Sequence, residues 1–105
     1  MTTVAGAPGM GGSADGASAD ARFVLPEGLA IDDAGDLLVA DTGNSTIRKL
    51  AIRTGTVTTV AGQPRQAGVK LGPLPARLNQ PVGLAVLRQK IFVADQNENS
   101  ILRIQ

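Results

Sequence analysis

Residues 26–50 read PEGLAIDDAGDLLVADTGNSTIRKL, and this stretch decides the fold. Short apolar or β-branched runs alternate in it with turn sequences rich in Asp, Gly and Asn, which is the pattern of strands joined by tight turns. The pattern predicts four consecutive strands, at Gly28–Asp32, Leu37–Asp41, Thr46–Ile52 and Thr56–Val60. No long stretch has a helical period, and only Ala17–Val24 has the composition for a turn or so of helix. We therefore expect an antiparallel all-β fold.

The chain contains an internal repeat. The segment TTVAG at Thr2–Gly6 returns unchanged at Thr58–Gly62, and residues 21–30 align with residues 76–85. The triplet Val-Ala-Asp that ends at Asp41 returns with its end at Asp95. The second copy predicts three strands, at Gly83–Leu87, Ile91–Asp95 and Ser100–Ile104. Its fourth strand is missing, and an extra copy of that strand, Thr2–Ala5, opens the chain.

Composition excludes several kinds of chemistry. The 105 residues suffice for one small domain, and Phe23 and Phe92 are the only aromatic residues, so the core must be aliphatic. The chain has no Cys and no His, which excludes a zinc site of the Cys/His type, a Cys/His or Ser/His dyad and a disulfide framework. We see neither a signal peptide nor a transmembrane segment, so we expect a soluble protein and leave its compartment open.

The two halves of the chain carry opposite charge. Residues 1–56 hold four basic and seven acidic residues, whereas residues 57–105 hold six basic and two acidic ones. Nucleic-acid binding would need clustered basic residues and aromatic stacking partners, so the composition disfavours it. Complementary halves favour head-to-tail association of copies, although solvated surface charge also explains the pattern.

Four motifs carry a resemblance to a known family. They are the pattern Pro-x-Gly-Leu-Ala-(Ile/Val) from Pro26 and Pro81, (Leu/Phe)-Val-Ala-Asp ending at Asp41 and Asp95, Ile-Arg-Lys-Leu at Ile47–Leu50, and Val-Thr-Thr-Val-Ala-Gly at Val57–Gly62. Together they resemble the NHL repeat, the blade of NHL-type β-propellers, in its long-loop variant. The second copy departs from the pattern at residues 95–99 and at Leu102. The resemblance implies an all-β fold of two four-stranded antiparallel blades within a propeller, most often six-bladed.

The resemblance divides the chain into parts of a single unit, residues 1–105. Residues 21–62 form blade one, residues 76–105 form blade two without its own outer strand, and residues 1–6 are the outer strand of a swapped blade. Two blades alone leave two apolar sheet faces bare, which soluble monomers rarely tolerate. We therefore expect a homo-oligomer in which three copies close a six-bladed ring, ahead of rings of two or four copies. The oligomer-closing strand is formed by Thr2, Thr3, Val4 and Ala5.

Two other origins stay open. Besides a self-assembling unit of this kind, the chain is consistent with a piece of a longer natural propeller and with a duplication made to test how propellers arise. As a piece of a longer propeller, it would bind a protein, an RNA or a small ligand.

The resemblance places the candidate ligand face at one set of loops. These loops, between the fourth and first strands and between the second and third strands, span residues 7–20, 42–45, 63–75 and 96–99. The candidate ligand residues on this face are Asp15, Arg22, Thr42, Asn44, Arg65, Arg77 and Asn97. The run Gly9–Ser13 lacks the Gly-Lys-Ser/Thr of a phosphate loop and is interpreted as a flexible loop.

Several charged residues have a structural interpretation that we prefer. Asp41 and Asp95 end strands, where a carboxylate commonly accepts backbone N–H bonds from the following loop. Arg22 and Arg77 are expected to bond backbone carbonyls or Asp side chains rather than an anion. The Asp-rich sequence at residues 32–36 is interpreted as a hairpin turn, with a calcium site as the alternative.

The sequence therefore favours a non-catalytic scaffold with no cofactor and no metal. Its expected partners are copies of itself and, on the loop face, a protein or small ligand, without nucleic acid or membrane. Propeller enzymes are the alternative class. An amidating lyase relies on histidine-ligated zinc, which this chain cannot supply, and a calcium-dependent lactonase-like hydrolase would need acidic and amide oxygens that converge at the channel.

Overall fold

Antiparallel sheets of short strands form the framework of the described residues. The structure is a computed structural model, and it describes residues 2–62, 69–70, 77–78, 81–96 and 99–104. The first sheet has the order β1-β5-β4-β3-β2 and consists of β1 (Gly16–Ala17), β2 (Pro26–Ile31), β3 (Leu37–Asp41), β4 (Thr46–Ala51) and β5 (Thr56–Gly62). The second sheet has the order β10-β9-β8 and consists of β8 (Pro81–Leu87), β9 (Lys90–Asp95) and β10 (Ser100–Ile104). A hairpin of β6 (Val69–Lys70) and β7 (Arg77–Leu78) lies between them in the chain.

Turn chemistry joins the strands as the sequence predicts. Between β2 and β3, the Asp32 carboxylate accepts the N–H groups of Ala34 and Asp36, both at 2.9 Å. Gly35 has a φ of +87°, a left-handed conformation that glycine adopts without a steric penalty. Between β3 and β4, a short 3₁₀ turn at Thr42–Asn44 redirects the chain. All four predicted strands of the first repeat and all three of the second are present, with bounds that differ by at most two residues.

The two large sheets pack face to face over a shared apolar core. Ala40, Ile47 and Ala61 of the first sheet and Val93 of the second form its buried centre. Partly buried Leu84, Ile91 and Leu102 of the second sheet pack against them. The inner strands β2 and β8 lie close together at Gly28, where an added Cβ would lie only 2.5 Å from the carbonyl oxygen of Val82. Glycine at this position therefore sets how closely the sheets approach.

The N-terminal segment covers part of the opposite side of the first sheet. A second buried cluster consists of Ala21, Leu50 and Val57, against which Ala5, Phe23 and Leu37 pack. Residues 17–21 make a single hydrogen-bonded turn, in which Ala21 N–H bonds the Ala17 carbonyl at 2.9 Å. This turn is the only helix-like feature within Ala17–Val24. Ala17, together with Gly16, pairs with β5 as a short strand.

Three further observations bear on the sequence predictions. In this structure of a single chain, Thr2–Ala5 forms no strand, and among the described residues β10 pairs only with β9. The Gly9–Ser13 loop is tied down at Gly12, whose N–H bonds the Phe23 carbonyl at 3.4 Å. Within the described part of the chain, no helix is long and apolar enough to cross a membrane.

Candidate functional site

A buried ion pair organises the loop end of the first sheet. Arg48 on β4 and Asp41 at the end of β3 are both almost fully buried, and Arg48 Nη1 lies 2.9 Å from Asp41 Oδ2. Asp41 Oδ1 also accepts the N–H of Val24 at 2.8 Å, and Oδ2 accepts Asn44 Nδ2 at 2.7 Å. The expected partners of Asp41 are backbone N–H groups of the following loop, and the group of that loop that bonds Asp41 is the side-chain amide of Asn44. The backbone N–H that bonds Asp41 is that of Val24, in the segment that precedes β2.

Arg48 clamps the N-terminal loop onto the sheet. Its Nη2 donates to Asp15 Oδ1 and to the Ala14 carbonyl, each at 2.7 Å, and its Nε donates to Asp15 at 3.2 Å. Its Nη1 donates to the Arg22 carbonyl at 2.8 Å, so all five N–H donors of the guanidinium are used. The guanidinium carbon lies 4.8 Å from the centroid of the Phe23 ring, which adds a cation–π contact. The network therefore holds the long loop in place and leaves no donor of Arg48 for a ligand.

The Thr-Gly-Asn turn after β3 links the loop to both sheets. Thr42 Oγ1 donates to the Pro81 carbonyl of the second sheet at 2.6 Å. Gly43 N–H bonds the Val24 carbonyl at 2.8 Å, and a side chain at Gly43 would collide with Val24. Asn44 Nδ2 donates to the Gly12 carbonyl at 2.8 Å. Among the described side chains, Asn44 Oδ1 and Thr46 Oγ1 are buried without a hydrogen-bond partner.

The candidate ligand residues of the first repeat thus have structural contacts. Thr42 and Asn44 are buried in the turn, and Asp15, although 43% exposed, bonds Arg48 and the Thr59 hydroxyl. Arg22 donates to the carbonyls of Ala19 and Ala21 at 2.9 and 2.7 Å. Arg65 and Asn97 lie outside the described residues, as does the side chain of Arg77, whose backbone pairs with Lys70. Asp95 is buried at the end of β9, as Asp41 is at the end of β3.

Arg48 is the central residue that the sequence interpretation missed. The sequence of β4 contained a signal for its burial, because side chains alternate between the two sides of a strand. Arg48 therefore lies on the same side of the sheet as Leu50, next to Val39, its partner on β3. The second repeat has Leu102 at the matched position, and Leu102 packs into the core between the sheets. The two repeats therefore differ in how each could hold the loop that precedes it.

The Asp-rich turn between β2 and β3 forms a small ion-pair cluster. Lys49 Nζ lies 3.5 Å from Asp32 Oδ2 and 3.6 Å from Asp36 Oδ2. The pKa of Asp32 is lowered, chiefly by the hydrogen bond that its carboxylate accepts from the backbone N–H of Asp36. The N–H of Ala34 and the charge of Lys49 act in the same direction. Asp36 Oδ1 accepts the N–H of Ile52 at 3.2 Å. These contacts make the carboxylates part of the turn.

Among the described residues, the outward face of each large sheet carries exposed apolar side chains, although the N-terminal segment covers part of the face of the first sheet. On the second sheet, the face away from the first carries Leu87, Phe92 and Ile101, and Ile101 is 71% exposed. We call it the Ile101 face. On the first sheet, the face away from the second carries Leu29, Ile31 and Val39 beside the N-terminal segment, and Leu29 is 63% exposed. We call it the Leu29 face; a groove of about 290 Å³ runs along it beside Thr3–Ala5.

Comparison of the two repeats shows which buried surfaces correspond to the Ile101 face and the Leu29 face. Ile101 corresponds to Ile47, which is 0% exposed in the core between the sheets, and Ala94 corresponds to buried Ala40. Leu29 corresponds to Leu84, which packs into that core from the other side. Gly83 corresponds to Gly28, and among the described residues an added Cβ at Gly83 would meet only Ala94 of its own sheet, at 3.6 Å. The Ile101 face thus repeats one side of the internal interface, and the Leu29 face repeats the other.

Comparison with solved structures shows what class of protein has this arrangement. A protein of unknown function from Bacteroides thetaiotaomicron superposes with a TM-score of 0.82 at 29% identity, over 94% of this chain and 26% of its own. A second structure, described as an auxiliary nutrient binding protein from Bacteroides thetaiotaomicron, superposes with a TM-score of 0.79 at 27% identity, over 97% of this chain and 28% of its own. The fold is therefore all-β, built of antiparallel sheets, and of the β-propeller class.

Sequence comparison then gives the family. The family model for the NHL repeat matches residues 23–50, which include β2, β3 and all of β4 except its last residue. The protein SUPPRESSOR OF QUENCHING 1, chloroplastic, from Arabidopsis thaliana is 37% identical over 94 residues, which are 88% of this chain and 9% of that protein. Residues 23–50 of this chain are therefore an NHL repeat, as the motifs of the sequence predict. It spans only a small part of the length of the relatives that it matches.

Proposed function

We propose that this chain is a non-catalytic scaffold of two NHL blades that assembles with copies of itself into a closed propeller. The observation that carries the proposal is the match between the bare faces and the internal interface. Ile101 and Leu29 are exposed, whereas their counterparts Ile47 and Leu84 pack against the other blade. A second copy that docks its Leu29 face on the Ile101 face would reproduce contacts that the chain already makes once.

The symmetry of such an association follows from the faces. The two surfaces differ, so the contact is heterologous, and copies joined in this way form a ring if the rotation closes. Three copies supply six blades, the number that the NHL resemblance implies, and we propose a homotrimer. The acidic first half and the basic second half favour the same head-to-tail order, because the Leu29 face belongs to the first blade and the Ile101 face to the second.

The contacts at the loop end support a structural role for these residues. Arg48 uses all its donors within the chain, and Asp41 accepts from three groups within the chain. The side chains that could serve as acid or base there are held in the blade. The binding role is therefore assigned to the sheet faces first and to the rim of the loop face second.

The length of the relatives favours a second candidate role. The superposed structures are about four times as long as the part that this chain matches, since the chain covers 26% and 28% of them. As two blades of a longer propeller, the chain would dock the same faces on neighbouring blades of one polypeptide. The loop face would then bind a protein or a small ligand, and the similarity to a nutrient binding protein supports that use.

The molar mass in solution tests self-assembly. We would measure it by light scattering on a sizing column over a dilution series of the 105-residue chain. We expect a species near three times 10.7 kDa that dissociates only on dilution. A folded monomer of 10.7 kDa at every concentration would contradict self-assembly and leave the second role.

A further inference from the structure

The outer edge of the second blade is unpaired within the part of the chain that the structure describes. In the first blade, β4 lies between β3 and β5, so both of its edges are paired. In the second blade, β10 pairs with β9 along one edge only, among the residues that the structure describes. A strand edge with free N–H and C=O groups is a template for another strand. The second blade thus offers a defined acceptor.

The N-terminal residues have the sequence of the strand that would fill this edge. Thr2–Gly6 is identical to Thr58–Gly62, the part of β5 that pairs with β4. In the single chain, Thr2–Gly6 belongs to no strand, and Thr2, Thr3 and Val4 are exposed. Gly6 anchors its end, because Gly6 N–H bonds the Ser18 carbonyl at 2.9 Å, beside the outer strand of the first blade. The segment is a donor strand without an acceptor.

The donor cannot reach the acceptor within one chain. Ala5 packs with Leu50 and Val57 on one side of the first blade, while the second blade packs on the other side, against Ile47. Stacked sheets lie about 10 Å apart, so the anchor and β10 are separated by roughly 20 Å. Five residues span at most about 18 Å when fully extended, which leaves none to pair. The acceptor that the donor can reach belongs to another molecule.

We infer that Thr2–Gly6 of one copy pairs with β10 of a second copy as its fourth antiparallel strand, in the register that β5 adopts on β4. This inference rests on the proposed self-assembly. In the first blade, Gly62 pairs with Thr46, Ala61 with Ile47, Thr59 with Arg48 and Thr58 with Lys49, with a bulge at Val60. The repeat transfers this register to Gly6 with Ser100, Ala5 with Ile101, Thr3 with Leu102 and Thr2 with Arg103, with the bulge at Val4.

Disulfide trapping tests the register on a cysteine-free background. The in-register variant is Thr2→Cys with Arg103→Cys, two exposed positions whose Cα atoms should lie about 4.5–5.5 Å apart, within disulfide range. The matched control is Thr2→Cys with Ser100→Cys, which the register places roughly 10 Å apart, beyond that range. Both variants are oxidised at a concentration where the parent chain is an oligomer, and linked peptides are identified by mass spectrometry.

The expected result is covalent dimers and trimers for the in-register variant and at least a tenfold lower yield for the control. Chains that carry one cysteine each, Thr2→Cys mixed with Arg103→Cys, should give a disulfide between molecules. An oligomer in which both pairs link equally, or neither links, would overturn the strand exchange and leave the docking of faces intact. A chain that is monomeric by light scattering would overturn both.

Discussion

Replacing Arg48 by leucine, the residue that the second repeat has at the matched position, removes the cation at the centre of the loop network. Asp41 is 0% exposed and would keep only the Val24 N–H and the Asn44 amide as partners. Breaking a buried ion pair in this way costs about 3–5 kcal/mol. A domain of this size is stable by about 5–15 kcal/mol, so Arg48→Leu should remove a large part of its free energy of unfolding.

The assay is urea unfolding followed by far-ultraviolet circular dichroism, because the chain has neither Trp nor Tyr for fluorescence. It is run at a concentration where parent and variants have the same molar mass. The matched control is Lys49→Leu at the neighbouring, partly exposed position, where we expect a change of about 0.5 kcal/mol or less. In a double-mutant cycle, Arg48→Leu should cost less once Asp41→Asn has removed the buried charge. Arg48→Leu within about 0.5 kcal/mol of the parent would refute the role of the network.

The remaining predictions concern the faces and the Asp-rich turn. Ile101→Ala should weaken association by about 1–2 kcal/mol per interface, since full burial of isoleucine is worth about 1.5–3 kcal/mol. The control Ile52→Ala changes a 50% exposed turn residue and should leave association unchanged. Dissociation constants measured by light scattering test both predictions. Gly28→Ala should destabilise the single chain by about 1–3 kcal/mol, whereas Gly83→Ala should leave its urea midpoint unchanged and weaken only association. The pKa of Asp32 is lowered in the fold, so its contribution to stability is present above its unfolded pKa and is lost as pH falls below about 4; a pH titration of unfolding should show this loss in the parent and not in Asp32→Asn.

The strands were predictable because their signals are local. The turn at residues 32–36 and the apolar or β-branched runs of β3 and β4 need only neighbouring residues, and the structure confirms both. The repeat extended the prediction, since the second copy has weaker motifs and still forms β8, β9 and β10 in the same order.

The contacts of the candidate site depend on distant parts of the chain. Asp41 binds Val24, seventeen residues earlier, and Arg48 binds Asp15, thirty-three residues earlier. No local pattern shows that the N-terminal loop folds back over β4. The burial of Arg48 was accessible only from strand alternation, which places a cation on a side that also carries Leu50. Lys49, the next residue, is also basic, but it is partly exposed and pairs with Asp32 and Asp36 in the turn between β2 and β3.

The central claim is that the Leu29 face and the Ile101 face bind each other, and mixing two face variants tests it most directly. Leu29→Asp retains an intact Ile101 face, and Ile101→Asp retains an intact Leu29 face; both positions are exposed in the single chain, so each variant should fold. By light scattering, each variant alone should have a mass of 10.7 kDa, and an equimolar mixture should form a complex of twice that mass, with a single working interface. A mixture that stays monomeric while the parent chain assembles, or a single variant that assembles as the parent does, would contradict the account.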